Sequence, residues 1–157
     1  MSTILRALEF LSLSVWLGGD VFLSFVVAPG AFSVLPGRDL AGRLVGYTLA
    51  RLHVLGLVCG AVFLLARVLR ARSLGSLAAP AAMAVVLMIV LTAASQFGVS
   101  KRLARLRAEM VSVEKTPPEN PLRREFDRLH CLSVRLEGGV LVAGLAALVF
   151  LVRETSR

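Results

Sequence analysis

Five side chains able to act as acids, bases or ligands lie within otherwise apolar stretches of this 157-residue chain. An ionisable group inside a membrane span is costly unless other protein or water surrounds it. Such a set can bind an ion or a small molecule, relay a proton, or ligate a metal through histidine. The set comprises two carboxylates, two histidines and an amide: Asp20, Glu137, His53, His130 and Gln96.

The stretches that contain these residues have the length and composition of membrane-spanning helices. The chain is 57% hydrophobic, above the about 45–50% apolar content of soluble domains, and its mean hydropathy is +0.79. A helix of roughly 20 residues crosses an about 30 Å hydrocarbon core. We therefore expect one all-α membrane domain over residues 1–157, a four-helix bundle with an amphipathic interfacial helix between spans three and four. The expected spans are about 5–28, 47–66, 78–99 and 130–152, and the amphipathic helix is about 101–115.

Prolines, glycines and capping residues predict the helix boundaries. Pro29-Gly30 is expected to end the first span, and Asp39 to cap the second helix. Pro80 fits the first turn of the third helix, and Asn120-Pro121 fits the cap and first position of the last. Four spans place both termini on one side of the membrane, here called the terminal side. The connections after spans one and three lie on the other, here called the loop-rich side.

Residues three or four positions apart share one face of a helix. On span one this face carries Glu9, Trp16 and Asp20, and on span two it carries His53. Arg51 and Arg135 lie about 200° around their helices from His53 and Glu137. We expect these arginines to pair at helix seams or to snorkel to the loop-rich side. The predicted polar pocket, open to the loop-rich side, contains Asp20, His53, Gln96, His130, Glu137, Arg51 and Arg135.

Three interpretations of this polar set remain open. It can bind or pass a small ion or molecule, it can hold haem or a metal through His53 and His130, or it can be a charge-neutral network that fixes helix register. The chain has no catalytic triad pattern, phosphate-binding glycine loop or zinc signature, so we expect a non-enzymatic protein without a cofactor. Small residues also allow a homo-oligomer, through Gly56/Gly60 or through Gly139/Ala143/Ala147.

The net charge of +8 favours a membrane surface as the partner of the basic residues. Lys101 to Lys115 reads as a basic amphipathic helix, which we expect to contact anionic headgroups. An aromatic–basic patch of the kind that binds nucleic acid is absent from the sequence, so no nucleic-acid partner is expected. Lys and Arg are more numerous on the loop-rich side, which the positive-inside rule places in the cytoplasm.

Four segments of the chain form a combined pattern: WLGGDVFLSFVVAP (16–29), Leu35-Pro36 followed by AGRLVG (41–46), VEK (113–115) and FDRLHCLSVRLEG (126–138). Together they resemble the transmembrane protein 205-like family, whose bacterial members are catalogued as a domain of unknown function. The resemblance implies four spans, a polar residue at Asp20 and Gln96, and a histidine at His130. We expect the protein to lie in the bacterial inner membrane. Members often have an aromatic residue near position 53 and an Asn after the last-helix motif, where this chain has His53 and Glu137. A distant similarity of the family to haem- or copper-related four-span proteins supports the haem alternative.

Overall fold

The computed structural model describes residues 2–156, and it contains no strand within that range. Two of its long helices are interrupted by π-helical turns, Leu23–Val27 and Ala94–Ser100, without losing continuity. The predicted all-α bundle is therefore confirmed, with four continuous helices that are each long and apolar enough to cross a membrane. The α-helices are α1 (Ser2–Phe22), α2 (Ala28–Val34), α3 (Arg38–Ala71), α4 (Pro80–Ala93), α5 (Lys101–Met110) and α6 (Pro121–Thr155).

The four long helices pack as a ring. α1 contacts α3, α3 contacts α4, α4 contacts α6, and α6 closes the ring against α1. Helices α3 and α6 therefore face each other across the diagonal of the bundle, and only side chains near its axis can join them. α5 is not a separate segment on the membrane surface, because it continues span three and packs along the start of α6.

The expected end of span one at Pro29-Gly30 is wrong. The helix continues to Val34, and Pro29 lies in the first turn of α2, directly after the π-helical turn. A proline at that position lacks only an N–H that the start of a helix leaves unpaired. The π-helical turn, which is wider than an α-helical turn, accommodates the proline without ending the helix. The loop that follows is short, from Leu35 to Gly37.

Asp39 does not cap α3 as expected. The N-cap is Gly37, whose φ of 98° is in the left-handed region that favours glycine. Asp39 lies in the first turn, and its carboxylate instead accepts hydrogen bonds from Ser112 Oγ at 2.6 Å and from the Val113 backbone N–H at 2.9 Å. These bonds hold the segment after α5, which is why the amphipathic helix ends at Met110 rather than near 115. The Asn120 cap is confirmed, since its side chain accepts from the Leu122 N–H at 2.9 Å.

The middle of the bundle is apolar and closely packed around Trp16, which is 1% exposed. A Cβ added at Gly56 or Gly60 would overlap the Trp16 side chain, so both glycines give this ring its space. Small residues at helix contacts allow such close approach. The suggestion that Gly56/Gly60 or Gly139/Ala143/Ala147 joins two copies is corrected accordingly, because these faces pack inside one chain: Leu91 lies against Gly139, and Ala143 and Ala147 are buried.

Candidate functional site

His53 is the centre of a buried polar cluster in the loop-rich half of the bundle. Its side chain is 2% exposed. Nδ1 lies 2.8 Å from Gln96 Oε1, and Nε2 lies 2.5 Å from Glu137 Oε1. The residue thus joins α3 to the π-helical turn after α4 on one side and to α6 on the other. Spacing of three and four residues along α3 puts it on the same inward face as Gly56 and Gly60.

The two bonds determine how many protons the His53–Glu137 pair holds. The amide oxygen of Gln96 can only accept, so Nδ1 carries a hydrogen. Nε2 and the carboxylate of Glu137 then share one further proton. Either an imidazolium faces a carboxylate, or a neutral imidazole faces a protonated carboxyl group. In both cases the pair has no net charge and holds one proton more than a neutral imidazole with a free carboxylate.

Asp20 supplies a second carboxylate to this cluster from α1. The residue is 2% exposed, and it interacts electrostatically with both Glu137 and His53. Its Oδ2 atom is buried and has no hydrogen-bond partner. Ser95 Oγ, in the π-helical turn that also carries Gln96, is likewise buried without a partner. π-Helical turns inside α-helices are frequent at functional sites.

The other residues predicted for the pocket lie outside this cluster. Arg51 and Arg135 are exposed on the outer faces of α3 and α6, and Arg51 lies over the ring of Tyr47 at 5.2 Å. This placement agrees with the expectation that the two arginines snorkel to the loop-rich side. It does not agree with the expectation that they pair at helix seams. His130 is also exposed, and its ring stacks on Phe126 with centroids 6.2 Å apart.

The two histidines proposed as haem or metal ligands share no partner in the structure. His53 is buried with both ring nitrogens bonded, whereas His130 is exposed on the outer surface of α6. Among residues 2–156, no group of three His, Cys, Asp or Glu side chains is arranged to hold a metal ion.

A second buried polar cluster, which was not predicted from the sequence, lies at the terminal side of the bundle. Arg67 is 4% exposed. It donates through Nη1 to Glu9 at 3.3 Å, through Nε to the Ser76 carbonyl at 3.2 Å, and through Nη2 to Glu154. Arg70 Nε donates to Glu9 at 2.6 Å. The two arginines thus balance the charge of the two carboxylates. These four residues are here called the terminal-side network.

The sequence did contain a signal for this network. The inward stripe of α3 continues past Gly60 with the same spacing of three and four residues, through Phe63 to Arg67. Glu9 had already been placed on the inward face of span one. Extending the α3 stripe by two steps puts a buried arginine at the level of that buried glutamate. A buried charge needs a partner, so the pairing follows.

Residues 11–112 match the family described as a domain of unknown function, DUF4149. The chain belongs to the DUF4149 family. The matched region includes Asp20, His53 and Gln96 of the cluster, while Glu137 lies beyond it. No curated protein and no solved structure matches the chain. The DUF4149 fold described above is thus the basis on which its function has to be argued.

Proposed function

We propose that this DUF4149 protein is a non-enzymatic membrane protein that binds a proton, or a small monovalent cation in its place, at Asp20, His53 and Glu137. The observation that supports the proposal is the buried, unpartnered Oδ2 atom of Asp20 beside a pair that is already neutral.

The charges of the cluster support cation binding. His53 and Glu137 together are neutral, so an ionised Asp20 leaves one negative charge without a counterion. An unpaired buried charge is strongly unfavourable. The cluster reaches neutrality when Asp20 takes up a proton or when a small cation lies against it. Ser95 Oγ and the Gln96 side chain are polar groups at the same end of the bundle.

The terminal-side network supports a different, structural role for the other buried charges. Glu9 and Glu154 balance the charges of Arg67 and Arg70, so this network is neutral without a further ion, although Glu154 Oε1 is buried without a hydrogen-bond partner. Between the two clusters lies the apolar core around Trp16, Phe63 and Met88. This arrangement favours a site reached from the loop-rich side over an open path through the bundle.

The proposal also covers the type of protein, its lack of a cofactor, its location and its contacts with headgroups. The protein is of the transmembrane protein 205-like type and uses no cofactor. It lies in the bacterial inner membrane with its loop-rich side in the cytoplasm. Basic residues of the segment Lys101 to Lys115 contact anionic headgroups. The basis of each is the sequence pattern described first, together with four helices that are long and apolar enough to cross a membrane.

Infrared difference spectroscopy tests the proposal on the protein reconstituted in liposomes. Spectra are compared between acidic and alkaline pH, with and without Na⁺. We expect a carboxylic-acid band that Asp20→Asn abolishes and Glu137→Gln shifts. Glu109→Gln, which changes an exposed carboxylate of α5, is the matched control and should leave the band unchanged.

Two outcomes would overturn the proposal. One is a spectrum that Asp20→Asn leaves identical to that of the wild type, which would make the cluster a structural network. The other is a Soret band or stoichiometric metal in protein purified with haem and trace metals available, lost in His53→Ala. That result would assign redox chemistry to the site.

A further inference from the structure

The outward face of α6 carries a row of arginines. Arg124, Arg128 and Arg135 are spaced by four and seven residues, which places them within about 40° of one another around the helix. All three are exposed. The opposite side of α6 makes the contacts with the rest of the bundle, and it carries Phe126, Ser133, Glu137 and Val140. The arginine row therefore faces away from every other helix.

The guanidinium groups of this row are unpaired. Within residues 2–156 none of the three donates a hydrogen bond or forms an ion pair. The neighbouring carboxylates are already engaged, since Glu125 pairs with Arg102 at 2.8 Å and Asp127 pairs with Arg123 at 3.0 Å. Arg128 interacts electrostatically with Glu125, which is already paired with Arg102. The row therefore keeps an excess of positive charge that can attract an anionic group from outside the chain.

The same face becomes apolar immediately beyond the row. Val142 is 69% exposed and Leu145 is 56% exposed. From Arg135 to Leu145 the helix rises about 15 Å, which is half the thickness of an about 30 Å hydrocarbon core. The outward face of α6 is thus cationic at its loop-rich end and apolar beyond that end. The apolar part is about as long as one leaflet is deep.

A second arginine marks the same level on the opposite helix. Arg51 and Arg135 each precede a member of the bonded His53–Glu137 pair by two residues. The backbone positions of both arginines therefore lie about 3 Å closer to the loop-rich side than that pair. Both are exposed. Arginines near the ends of membrane spans extend towards the headgroups. Their shared level indicates where the headgroup layer of the loop-rich leaflet begins.

We infer that the outward face of α6 is a binding site for one anionic phospholipid. Its phosphate lies against Arg128 and Arg135, and its acyl chain lies along Val142 and Leu145. A second copy of the chain is disfavoured as the occupant, because a symmetric pairing through this face would bring like charges together. The surface differs from the Lys101 to Lys115 segment, whose helix continues span three and buries Leu106 against the bundle.

Native mass spectrometry of the detergent-purified protein tests this site. Phosphatidylglycerol or phosphatidylcholine is added, and bound lipid is counted for the wild type, Arg128→Gln, Arg135→Gln and the double variant. Arg43→Gln, an exposed arginine of α3, is the matched control. We expect preferential retention of phosphatidylglycerol, with apparent affinity falling about five-fold for each α6 arginine removed and unchanged in Arg43→Gln. Inorganic phosphate at millimolar concentration should not displace the lipid.

The inference is overturned by equal retention of the two lipids or by an equal loss in Arg43→Gln. It is also overturned by displacement with inorganic phosphate, which would indicate a simple anion site, or by a dimer that dissociates in the α6 variants. All the substituted residues are exposed, so thermal unfolding should remain at the wild-type temperature and loss of folding can be separated from loss of binding.

Discussion

His53 and Glu137 are joined across the diagonal of the bundle, with 2.5 Å between Nε2 and Oε1. Their helices, α3 and α6, do not pack against each other directly. Arg67 and Glu154 make the same diagonal connection at the terminal side. The bundle therefore has two polar cross-connections, one near each end, with the apolar core between them.

The first prediction concerns the energy of the His53–Glu137 connection. A double-mutant cycle with His53→Asn and Glu137→Gln should give a coupling energy of about 0.5–3 kcal/mol, because the two side chains are in direct contact. The free energy of unfolding in mixed detergent is the measurement. His53→Asn combined with Glu154→Gln is the control, and these changes should add within about 0.5 kcal/mol because they lie at opposite ends of the bundle. Additivity in both cycles would mean that the contact does not stabilise the fold.

The second prediction concerns Glu9, which is 0% exposed and accepts from two arginines. Glu9→Gln should lower the free energy of unfolding by about 3–5 kcal/mol, because Arg67 would remain buried with one counterion removed. The matched change Glu119→Gln, at an exposed position, should have little effect. A loss below about 1 kcal/mol for Glu9→Gln would show that the terminal-side network does not hold the helices together.

The third prediction concerns the space that Gly56 leaves for Trp16. Gly56→Ala should destabilise the protein by about 1–3 kcal/mol, since the new methyl group would overlap a closely packed indole ring. Gly18→Ala adds the same group where nothing lies within 4 Å, so it should be neutral or slightly stabilising. Thermal unfolding of the two variants provides the comparison. Equal unfolding temperatures would contradict the tight contact between α1 and α3.

The fourth prediction concerns the segment that follows α5. Asp39→Ala removes the acceptor for Ser112 and for the Val113 N–H, so residues 112–114 should exchange backbone hydrogen for deuterium faster than in the wild type. Exchange in α3 itself should change little, because Asp39 does not cap that helix. Glu119→Ala, which removes an exposed carboxylate, is the control. Unchanged exchange at 112–114 would show that other contacts hold this segment.

The sequence predicted the inward position of Asp20, His53 and Glu137 because each lies on a regular stripe of its helix. It could not predict the bond between His53 and Glu137, since helical spacing gives the direction of a side chain and not which helices face each other across the ring. Likewise, the spacing placed Arg51 and Arg135 away from the axis, but only the packing of the bundle showed that they reach its outer surface.

The predicted helix boundaries were wrong where other contacts or turns overrode the local preference of a residue. Pro29 reads as a helix end, yet the preceding π-helical turn accommodates it and the helix continues. Asp39 reads as a cap, yet a partner more than seventy residues later takes its carboxylate. Local preference is a weak guide when tertiary contacts offer an alternative of similar energy. The cap predicted at Asn120 is present, and its side chain bonds locally to the Leu122 N–H.

The outward arginines also have a consequence for the membrane in which the protein resides. Along α6, Arg135 and Arg153 are separated by about 27 Å of helix. This distance sets the hydrophobic thickness that the protein matches, slightly below an average bilayer. In a thicker bilayer the mismatch would be met by thinning of the surrounding lipid or by stretching of the arginine side chains. Tilting would shorten the span further and make the mismatch worse.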